Sequence, residues 1–347
     1  MAFNDDEEEA GMDDIEIASS PVVQRINARE RNRRLLKFYI FLFTTVVIAL
    51  VIGLAVGLGT TRDSGKSNSS NGGINTGGGS ISGGNSSNSL SFFIISLGVT
   101  DNKTLSNTSS PQYAALTWLK NDSANNQYTF DSDNFAIDTV SRLTAKQRYA
   151  AATMYYSLHG NSWTNKSGWM TSSDVCTWNG VYCGTNASSS TVQALLLDQQ
   201  RVTGRLPPEI QLFDSLQQIS FFNNTIAGSL PSGLYKLTKL QSIEFTSNLL
   251  SGKISSMIGQ LSNLVYLNLA ANRFTGVIPT TLGLLTQLQY LVLANNTYSS
   301  SIATIPTELG QLTNLKTLSL SNMGGATNGG IGGKIPSELG NCQKLGM

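Results

Sequence analysis

The sequence has little of the chemistry that enzymes need. Its 347 residues include one histidine, His159, and no group of His, Cys, Asp or Glu with the spacing of metal ligands. One histidine does not by itself support a Ser–His–Asp triad, and no glycine-rich loop, HRD or DFG motif of a protein kinase is present. We therefore expect no catalytic activity, no metal ion and no cofactor.

Charged residues are also scarce, at 13% of the chain, and they are concentrated near the N-terminus. An acidic block between residues 5 and 16 is followed by a basic block between residues 25 and 37, and the net charge of +1 conceals both. Segments that are rich in charge and poor in apolar residues cannot bury a core. Residues 1–37 are therefore predicted to form a disordered tail.

One long run, residues 38–61, contains no Asp, Glu, Lys, Arg or His. About 20 apolar residues cross the hydrocarbon core of a bilayer, whereas the apolar core of a signal peptide has only about 7 to 15. A buried core helix is the remaining alternative. We expect an uncleaved transmembrane signal-anchor. Ala49, Gly53 and Gly57, at four-residue spacing, would allow this helix to form a homodimer or to contact a co-receptor.

The residues that flank this run predict its orientation. Six Arg or Lys precede it and only Arg62 and Lys66 follow closely. The positive-inside rule therefore places the N-terminus in the cytoplasm and the C-terminal part outside the cell or in a lumen, with the plasma membrane favoured. Sequons for N-glycosylation occur only after the run. The candidate sites in the predicted folded part are Asn102, Asn107, Asn121, Asn165, Asn186, Asn223 and Asn295.

Two further segments separate the run from the C-terminal half. Residues 62–91 are rich in Gly, Ser and Asn and predict a flexible linker. Residues 92–191 predict a helical cap, with one helix beginning at Pro111 and another running from Thr144 to Gly160. His159 would lie in the last turn of the second helix, where a cation suits the helix dipole.

The sequence repeats itself from Val192 onward. Successive units begin 24 residues apart at Val192, Leu216, Leu240, Leu264 and Leu288, and then at Leu315 and Leu345. One full unit reads LVYLNLAANRFTGVIPTTLGLLTQ, and seven of its apolar positions recur in the unit before it. A fixed period of this length predicts a solenoid, in which each unit buries its apolar face only against its neighbours.

The repeat pattern LxxLxxLxLxxNxLxGxIPxxLGxL resembles the plant-type leucine-rich repeats of receptor-like ectodomains and polygalacturonase-inhibiting proteins. The resemblance covers residues 192–347, and CTWNGVYC resembles the N-terminal capping motif CxWxGVxC of that family. It implies an α/β repeat fold with a curved parallel β-sheet on the concave face, and a disulfide between Cys176 and Cys183. Cys342 would stay a free, buried thiol. A signal-anchor on the N-terminal side is similar to repeat proteins of diatoms and related algae.

Three columns of residues are expected to shape the repeats. Asn224, Asn248, Asn272 and Asn296 follow the strands and would satisfy main-chain groups that leave the sheet. Gly204, Gly228, Gly252 and Gly276 would allow the chain to turn back, and Pro207, Pro231, Pro279, Pro306 and Pro336 would fix the backbone after it. Ser255 departs from the proline column, and Gln200 and Met323 depart from the asparagine column. A mobile loop is expected at residues 324–333.

Side chains that alternate with the inward leucines should project from the concave face. We use this name for the following positions: Ala194, Leu196, Asp198, Gln218, Ser220, Phe222, Ser242, Glu244, Thr246, Tyr266, Asn268, Tyr290, Val292, Thr317, Ser319 and Ser321. Aromatic groups beside polar ones are typical of binding surfaces. The predicted ligand-binding residues are Phe222, Glu244, Thr246, Tyr266, Asn268, Tyr290 and Val292.

The function predicted from these patterns is that of a membrane-anchored, receptor-like recognition protein. Its ligand would be a protein, a peptide or a glycan, and we expect no nucleic-acid partner. Adhesion to cell-wall or matrix material is the alternative. A third interpretation is that the exposed apolar residues have no role, because single apolar side chains are common on protein surfaces. Kinase function transferred through the repeats alone would be unfounded, because the chain has no kinase motif.

Overall fold

The computed structural model describes residues 86–126, 139–186, 189–298, 304–324 and 332–346. The predicted tail and transmembrane run, together with most of the linker and of the loop at 324–333, lie outside these ranges. Among the described residues, no helix combines the length and apolar character that a membrane span requires.

In the described residues that precede the repeats, the structure has four α-helices. They are α1 (Ser86–Ser96), α2 (Asn102–Ser106), α3 (Pro111–Asn126) and α4 (Thr139–Ser157). Helix α3 begins at Pro111 as predicted, and the Ser110 hydroxyl accepts a hydrogen bond from the Tyr113 backbone N–H at 3.0 Å, which caps the helix. Helix α1 begins inside the predicted linker, because its Leu90 is an apolar residue that packs into the core.

Both predicted ends of α4 are wrong. The helix extends back to Thr139, and it ends at Ser157 rather than at Gly160. The chain leaves the helix because His159, not the glycine, adopts the left-handed conformation, with φ of 52°. Gly160 is needed for space, since a Cβ atom there would lie 2.1 Å from the Tyr155 ring. His159 is therefore exposed beyond the helix, and its Nδ1 lies 3.0 Å from the Thr203 hydroxyl.

Helix α4 is the centre of the cap, and residues 147–155 are all buried. Small side chains such as Ala150 and Ala152 allow neighbouring elements to approach closely. Arg148 is fully buried and donates from Nε to Asp122 of α3 at 2.7 Å. Its two other nitrogens donate to main-chain carbonyls of Thr171 and Ser173, each at 2.6 Å. The guanidinium also lies over the rings of Trp118 and Trp178. These contacts and the hydrogen bonds offset the cost of burying the positive charge.

The predicted disulfide is present. Cys176 and Cys183 are bonded with a Cα–Cα separation of 5.5 Å, and Cys342 is a free, buried thiol as expected. The disulfide lies beside a cluster of tryptophans in which Trp169 contacts Trp163 and Trp178, with ring centroids 4.8 and 5.1 Å away. The cap is therefore held by aromatic packing as well as by the covalent bond.

Within the described ranges, eleven β-strands form two sheets. The strands are β1 (Val181–Asn186), β2 (Ser189–Leu196), β3 (Thr203–Gly204), β4 (Gln218–Ser220), β5 (Thr225–Gly228), β6 (Ser242–Glu244), β7 (Leu249–Lys253), β8 (Tyr266–Asn268), β9 (Arg273–Thr275), β10 (Tyr290–Val292) and β11 (Thr317–Ser319). The first sheet has the order β1-β2-β4-β6-β8-β10-β11, and the second has the order β3-β5-β7-β9. Among these strands, only β1 and β2 pair antiparallel. The other strands of the first sheet pair parallel, and each comes from a successive repeat.

A short 3₁₀ helix closes each return segment. In the repeats these helices are Pro208–Leu212, Ser232–Lys236, Ser256–Gln260, Thr280–Leu284, Thr307–Gln311 and Ser337–Asn341. Five of them are preceded by the predicted proline column. The remaining helix, Ser256–Gln260, is preceded by Ser255 instead of proline. The Ser255 hydroxyl caps this helix, because it accepts a hydrogen bond from the Met257 N–H at 3.2 Å.

The asparagine column forms the predicted ladder. Asn272 donates from Nδ2 to the carbonyls of Phe245, one unit back, and Leu269, at 2.8 and 3.1 Å. Its Oδ1 accepts from the Leu250 N–H at 3.0 Å. Asn248 and Asn296 make the equivalent bonds. Each buried amide thus ties two neighbouring units through main-chain groups that have no partner within the sheet.

The glycine column has the predicted left-handed backbone, with φ between 80° and 93° at Gly204, Gly228, Gly252 and Gly276. Two of these glycines have a second requirement. A Cβ atom on Gly228 would lie 3.2 Å from the Arg205 side chain, and one on Gly276 would lie 2.9 Å from the Lys253 side chain. The long basic side chain of one unit therefore lies over the glycine of the next.

A buried carboxyl group joins the cap to the first repeats. Glu209 is 1% exposed, and its two oxygens accept from the Thr100 hydroxyl at 2.6 Å and the Gln112 amide at 3.1 Å. The Tyr149 hydroxyl donates in turn to the Thr100 hydroxyl. Burial raises the pKa of Glu209, because none of these neutral partners offsets the cost of removing the charged form from water.

We predict that Glu209→Gln weakens the dependence of stability on pH. In the unfolded chain this carboxyl ionises near a pKa of about 4.3, whereas the folded protein holds the proton to higher pH because its pKa is raised. Between the two pKa values the free energy of unfolding of the wild type falls as pH rises. Urea unfolding between pH 4 and 7 should show a smaller fall for Glu209→Gln. Parallel pH profiles for the two proteins would contradict this.

Candidate ligand-binding face

The predicted binding residues lie on adjacent strands of the first sheet. In each of these strands a fully buried residue at the centre is flanked by two partly exposed ones, as in β8 and β10. Ser242, Tyr266 and Tyr290 form one aligned row across the sheet, and Glu244, Asn268 and Val292 form the row beside it. The structure therefore brings these predicted residues together on the concave face.

A hydrogen-bonded group occupies the middle of this face. The Tyr266 hydroxyl donates to Oε2 of Glu244 at 2.7 Å, and the Asn268 amide donates to the same oxygen at 3.1 Å. Oε1 of Glu244 accepts from the Thr246 backbone N–H at 3.0 Å. The Asn268 side chain also accepts from the Ala270 N–H. These bonds hold the carboxylate, the phenol and the amide in one arrangement before any ligand arrives.

Two aromatic rings continue the surface on one side of this group. The rings of Tyr266 and Tyr290 have centroids 5.9 Å apart and are inclined by 50°. Both side chains are partly exposed, so each presents ring surface to solvent. Val292 lies beside them in β10 and is also partly exposed. The combination of two phenol rings, a carboxylate and an amide can make both apolar and polar contacts with a ligand.

The remaining predicted residues contribute less than expected. The hydroxyl of Thr246 is buried and has no hydrogen-bond partner among the described residues, so this side chain does not offer its hydroxyl to a ligand. Phe222 is partly exposed, and its backbone N–H donates to Asp198 at 2.8 Å. Ser220 is buried although it was placed on the face, because it donates its hydroxyl to Asp198. Burial raises the pKa of Asp198.

Charge is distributed unevenly between the two sheets. The concave face contains Asp198 and Glu244 and no Lys, Arg or His. Four exposed basic residues lie in or beside the strands of the second sheet, namely Arg201, Arg205, Lys253 and Arg273, and other exposed lysines lie elsewhere in the repeats. The sequence carries part of this signal, because Arg205 and Lys253 each follow a repeat glycine. Within the described ranges, no group of three potential ligand side chains could hold a metal ion.

The candidate glycosylation sites are exposed wherever the structure describes their side chains, which excludes only Asn186. Asn223 and Asn295 lie directly before ladder asparagines and have φ of 52° and 55°. Asparagine tolerates this left-handed conformation better than most residues, so its presence there also has a conformational explanation. The Asn295 side chain accepts from Asn322 at 3.0 Å. Glycosylation of these residues stays a prediction.

Comparison with known families bears on the repeats. Residues 263–285 match the family model described as Leucine Rich Repeat, and the 24-residue units on either side of this stretch have the same strand, asparagine and 3₁₀ geometry. The matched stretch is therefore similar to a leucine-rich repeat, and the neighbouring units share its geometry. Among curated proteins, none matches the sequence of this chain.

Solved structures similar to the chain include plant leucine-rich-repeat receptors. In a complex titled PEPR1–AtPEP1 the match is 30% identical with a TM-score of 0.46, and it covers 53% of this chain but 26% of that one. The BIR3–SERK2 complex from Arabidopsis thaliana matches at 30% identity and a TM-score of 0.42, covering 51% of this chain and 87% of that one. The Arabidopsis receptor kinase HAESA, with the peptide hormone IDA and the co-receptor SERK1, matches at 28% identity and a TM-score of 0.46, covering 59% and 32%. This chain thus spans about a quarter of the first structure's length and a third of the third.

Proposed function

We propose that this leucine-rich-repeat protein is a membrane-anchored recognition protein that binds a protein or peptide ligand on the concave face and carries no catalytic domain. One observation supports this most directly. Glu244, Tyr266 and Asn268 are fixed to one another by hydrogen bonds, beside the partly exposed ring of Tyr290. A surface ordered in advance loses less conformational entropy on binding, and aromatic anchors contribute much of the affinity of such surfaces.

We predict that Tyr266→Ala combined with Tyr290→Ala weakens ligand binding by at least about 1 kcal/mol, which is roughly fivefold in Kd. The ligand for this measurement is to be selected with the full-length chain from a displayed peptide library, with a glycan array screened in parallel. The melting temperature should change little, because both rings lie outside the core. Thr317→Ala is the control, since this exposed residue lies on the same face in β11.

Equal affinity of the wild type and the double variant, at an unchanged melting temperature, would place the binding site elsewhere. Binding confined to the glycan array would favour adhesion to wall or matrix polysaccharide instead.

Membrane anchoring is the second part of the proposal. It rests on the uncharged run at residues 38–61 and on the basic residues that precede it. We predict a cytoplasmic N-terminus and repeats on the opposite side of the membrane. In sealed membrane vesicles with the cytoplasmic side exposed, added protease should remove the N-terminal tail and leave the repeats intact. Digestion of the repeats from that side would overturn the topology.

A further inference from the structure

The concave face offers a specific chemistry to its ligand, and this inference rests on the proposed function. Its central carboxylate, Glu244, is held in place by a phenol, an amide and a backbone N–H. These three hydrogen bonds fix the orientation of the carboxylate. The centre of the face is therefore a fixed negative charge, beside two rings whose faces carry the negative part of the aromatic quadrupole.

The surroundings of Glu244 favour a cationic group in the ligand. No basic side chain occurs at any of the positions that define the concave face. The basic residues of the repeats lie elsewhere, some of them at the second sheet, and the one nearest to the face along the chain is Lys316, directly before Thr317. A cation approaching the concave face therefore meets attraction from Glu244, and from Asp198 two strands away, without a like charge among the face residues. An anionic ligand would be repelled by the same two carboxylates.

The paired rings select among cations. An arginine guanidinium is planar and weakly hydrated, so it stacks on aromatic faces and donates to carboxylates at the same time. A lysine ammonium is a compact, strongly hydrated charge that cannot stack. Tyr266 lies on the strand between those of Glu244 and Tyr290, and its hydroxyl reaches diagonally to the Glu244 carboxylate in the neighbouring row. The carboxylate therefore lies at one end of the pair of rings.

We propose that the ligand of this protein contributes an arginine side chain to the concave face, where the guanidinium stacks on Tyr266 and Tyr290 and donates to the carboxylate of Glu244. The partner is thus a peptide or protein segment with an arginine at one fixed position.

The test uses the full-length chain and a displayed library of random 12-residue peptides. We expect peptides selected on the wild type to share one arginine. Replacing that arginine by glutamine in the strongest peptide should weaken binding about 10-fold or more, and replacing it by lysine about 3-fold or more. Affinity for the arginine peptide should also fall about 10-fold in Glu244→Gln, which keeps the size of the side chain and removes its charge.

Two pairs of variants separate the proposed contact from general effects. Glu308→Gln makes the same charge change in a 3₁₀ helix away from the face and should change affinity less than about twofold, because exposed charges at a distance are screened by salt. Tyr290→Phe keeps the ring face and should retain the preference for arginine over glutamine. Tyr290→Leu keeps apolar bulk without a ring and should reduce that preference.

The outcomes distinguish this inference from the proposed function. Peptides that lose affinity in the Tyr266→Ala, Tyr290→Ala variant but share no arginine would overturn the arginine contact and leave the concave face as the binding site. A selected lysine that outperforms arginine would overturn the stacked guanidinium. Peptides insensitive to every concave-face variant, or a library without binders, would overturn both.

Discussion

Replacing Arg148 by methionine should lower the free energy of unfolding by about 3 to 5 kcal/mol, as the loss of one partner of a buried ion pair does. The Asp122 side chain is only 4% exposed, and the substitution removes the Arg148 cation that lies 2.7 Å from its carboxylate. It also removes the donors to the Thr171 and Ser173 carbonyls. Urea unfolding followed by tryptophan fluorescence measures this, because the guanidinium lies 5.0 Å from the Trp118 ring and 5.3 Å from the Trp178 ring.

The same helix provides the control for this experiment. Lys146 forms an ion pair with Asp214 at 2.6 Å, but the Asp214 side chain is 61% exposed. Lys146→Met should therefore cost less than about 1 kcal/mol. Arg148→Met with Asp122→Leu should recover part of the lost stability, since no buried charge is then unpaired. A loss below about 1 kcal/mol for Arg148→Met alone would show that this pair does not stabilise the cap.

The second large effect is expected in the asparagine ladder. Asn272→Ala should reduce the free energy of unfolding by about 3 kcal/mol, because it strands buried main-chain groups that the amide now satisfies. Those groups are the carbonyls of Phe245 and Leu269 and the N–H of Leu250. Urea unfolding of the full-length chain measures the difference.

Asn263, the last residue of the preceding unit, provides a matched comparison. Its amide donates to the Thr238 carbonyl at 2.8 Å, but at an exposed site, where water replaces the lost bond. Asn263→Ala should therefore cost less than about 1 kcal/mol. Equal effects at the two positions would mean that burial of the ladder does not determine its contribution.

The repeats were predictable because their information is periodic. The Asn272 and Gly276 columns recur every 24 residues, and each position has the same neighbours one unit before and after. The same period placed Glu244, Tyr266 and Tyr290 on one surface. The hydrogen bonds among them could not be read from the pattern, because they depend on side-chain conformations rather than on spacing.

The cap has no period, and there the predictions were weaker. Arg148 lies in the sequence KQRYAAA, where a surface position on a helix is the ordinary expectation for arginine. Its burial depends on contacts with Asp122, Ser173 and Trp178. The local sequence pattern does not predict that these residues lie close to Arg148. The C-terminal end of α4 was mispredicted for a similar reason. Gly160 packs against the Tyr155 ring, and this contact is not visible in the local pattern.

The departure at Ser255 shows how an irregular unit is tolerated. Proline at this point fixes the backbone before a 3₁₀ helix, and serine reaches the same conformation, with φ of −67° and ψ of 145°. The hydrogen bond from the Met257 N–H to the Ser255 hydroxyl takes the place of the rigid proline ring. A prediction from the repeat pattern alone counts this position as a defect, whereas the structure shows a substitute interaction.

The direction of the bonds between units determines how the solenoid responds to mechanical force. The main-chain bonds of the first sheet and the ladder bonds of Asn248 and Asn272 all connect one unit to the next. A pull between the two ends of the repeats therefore loads the junctions between units in series, and the bonds at each junction share the full tension. We expect the solenoid to open first at its weakest junction, whereas the disulfide between Cys176 and Cys183 keeps residues 176–183 closed.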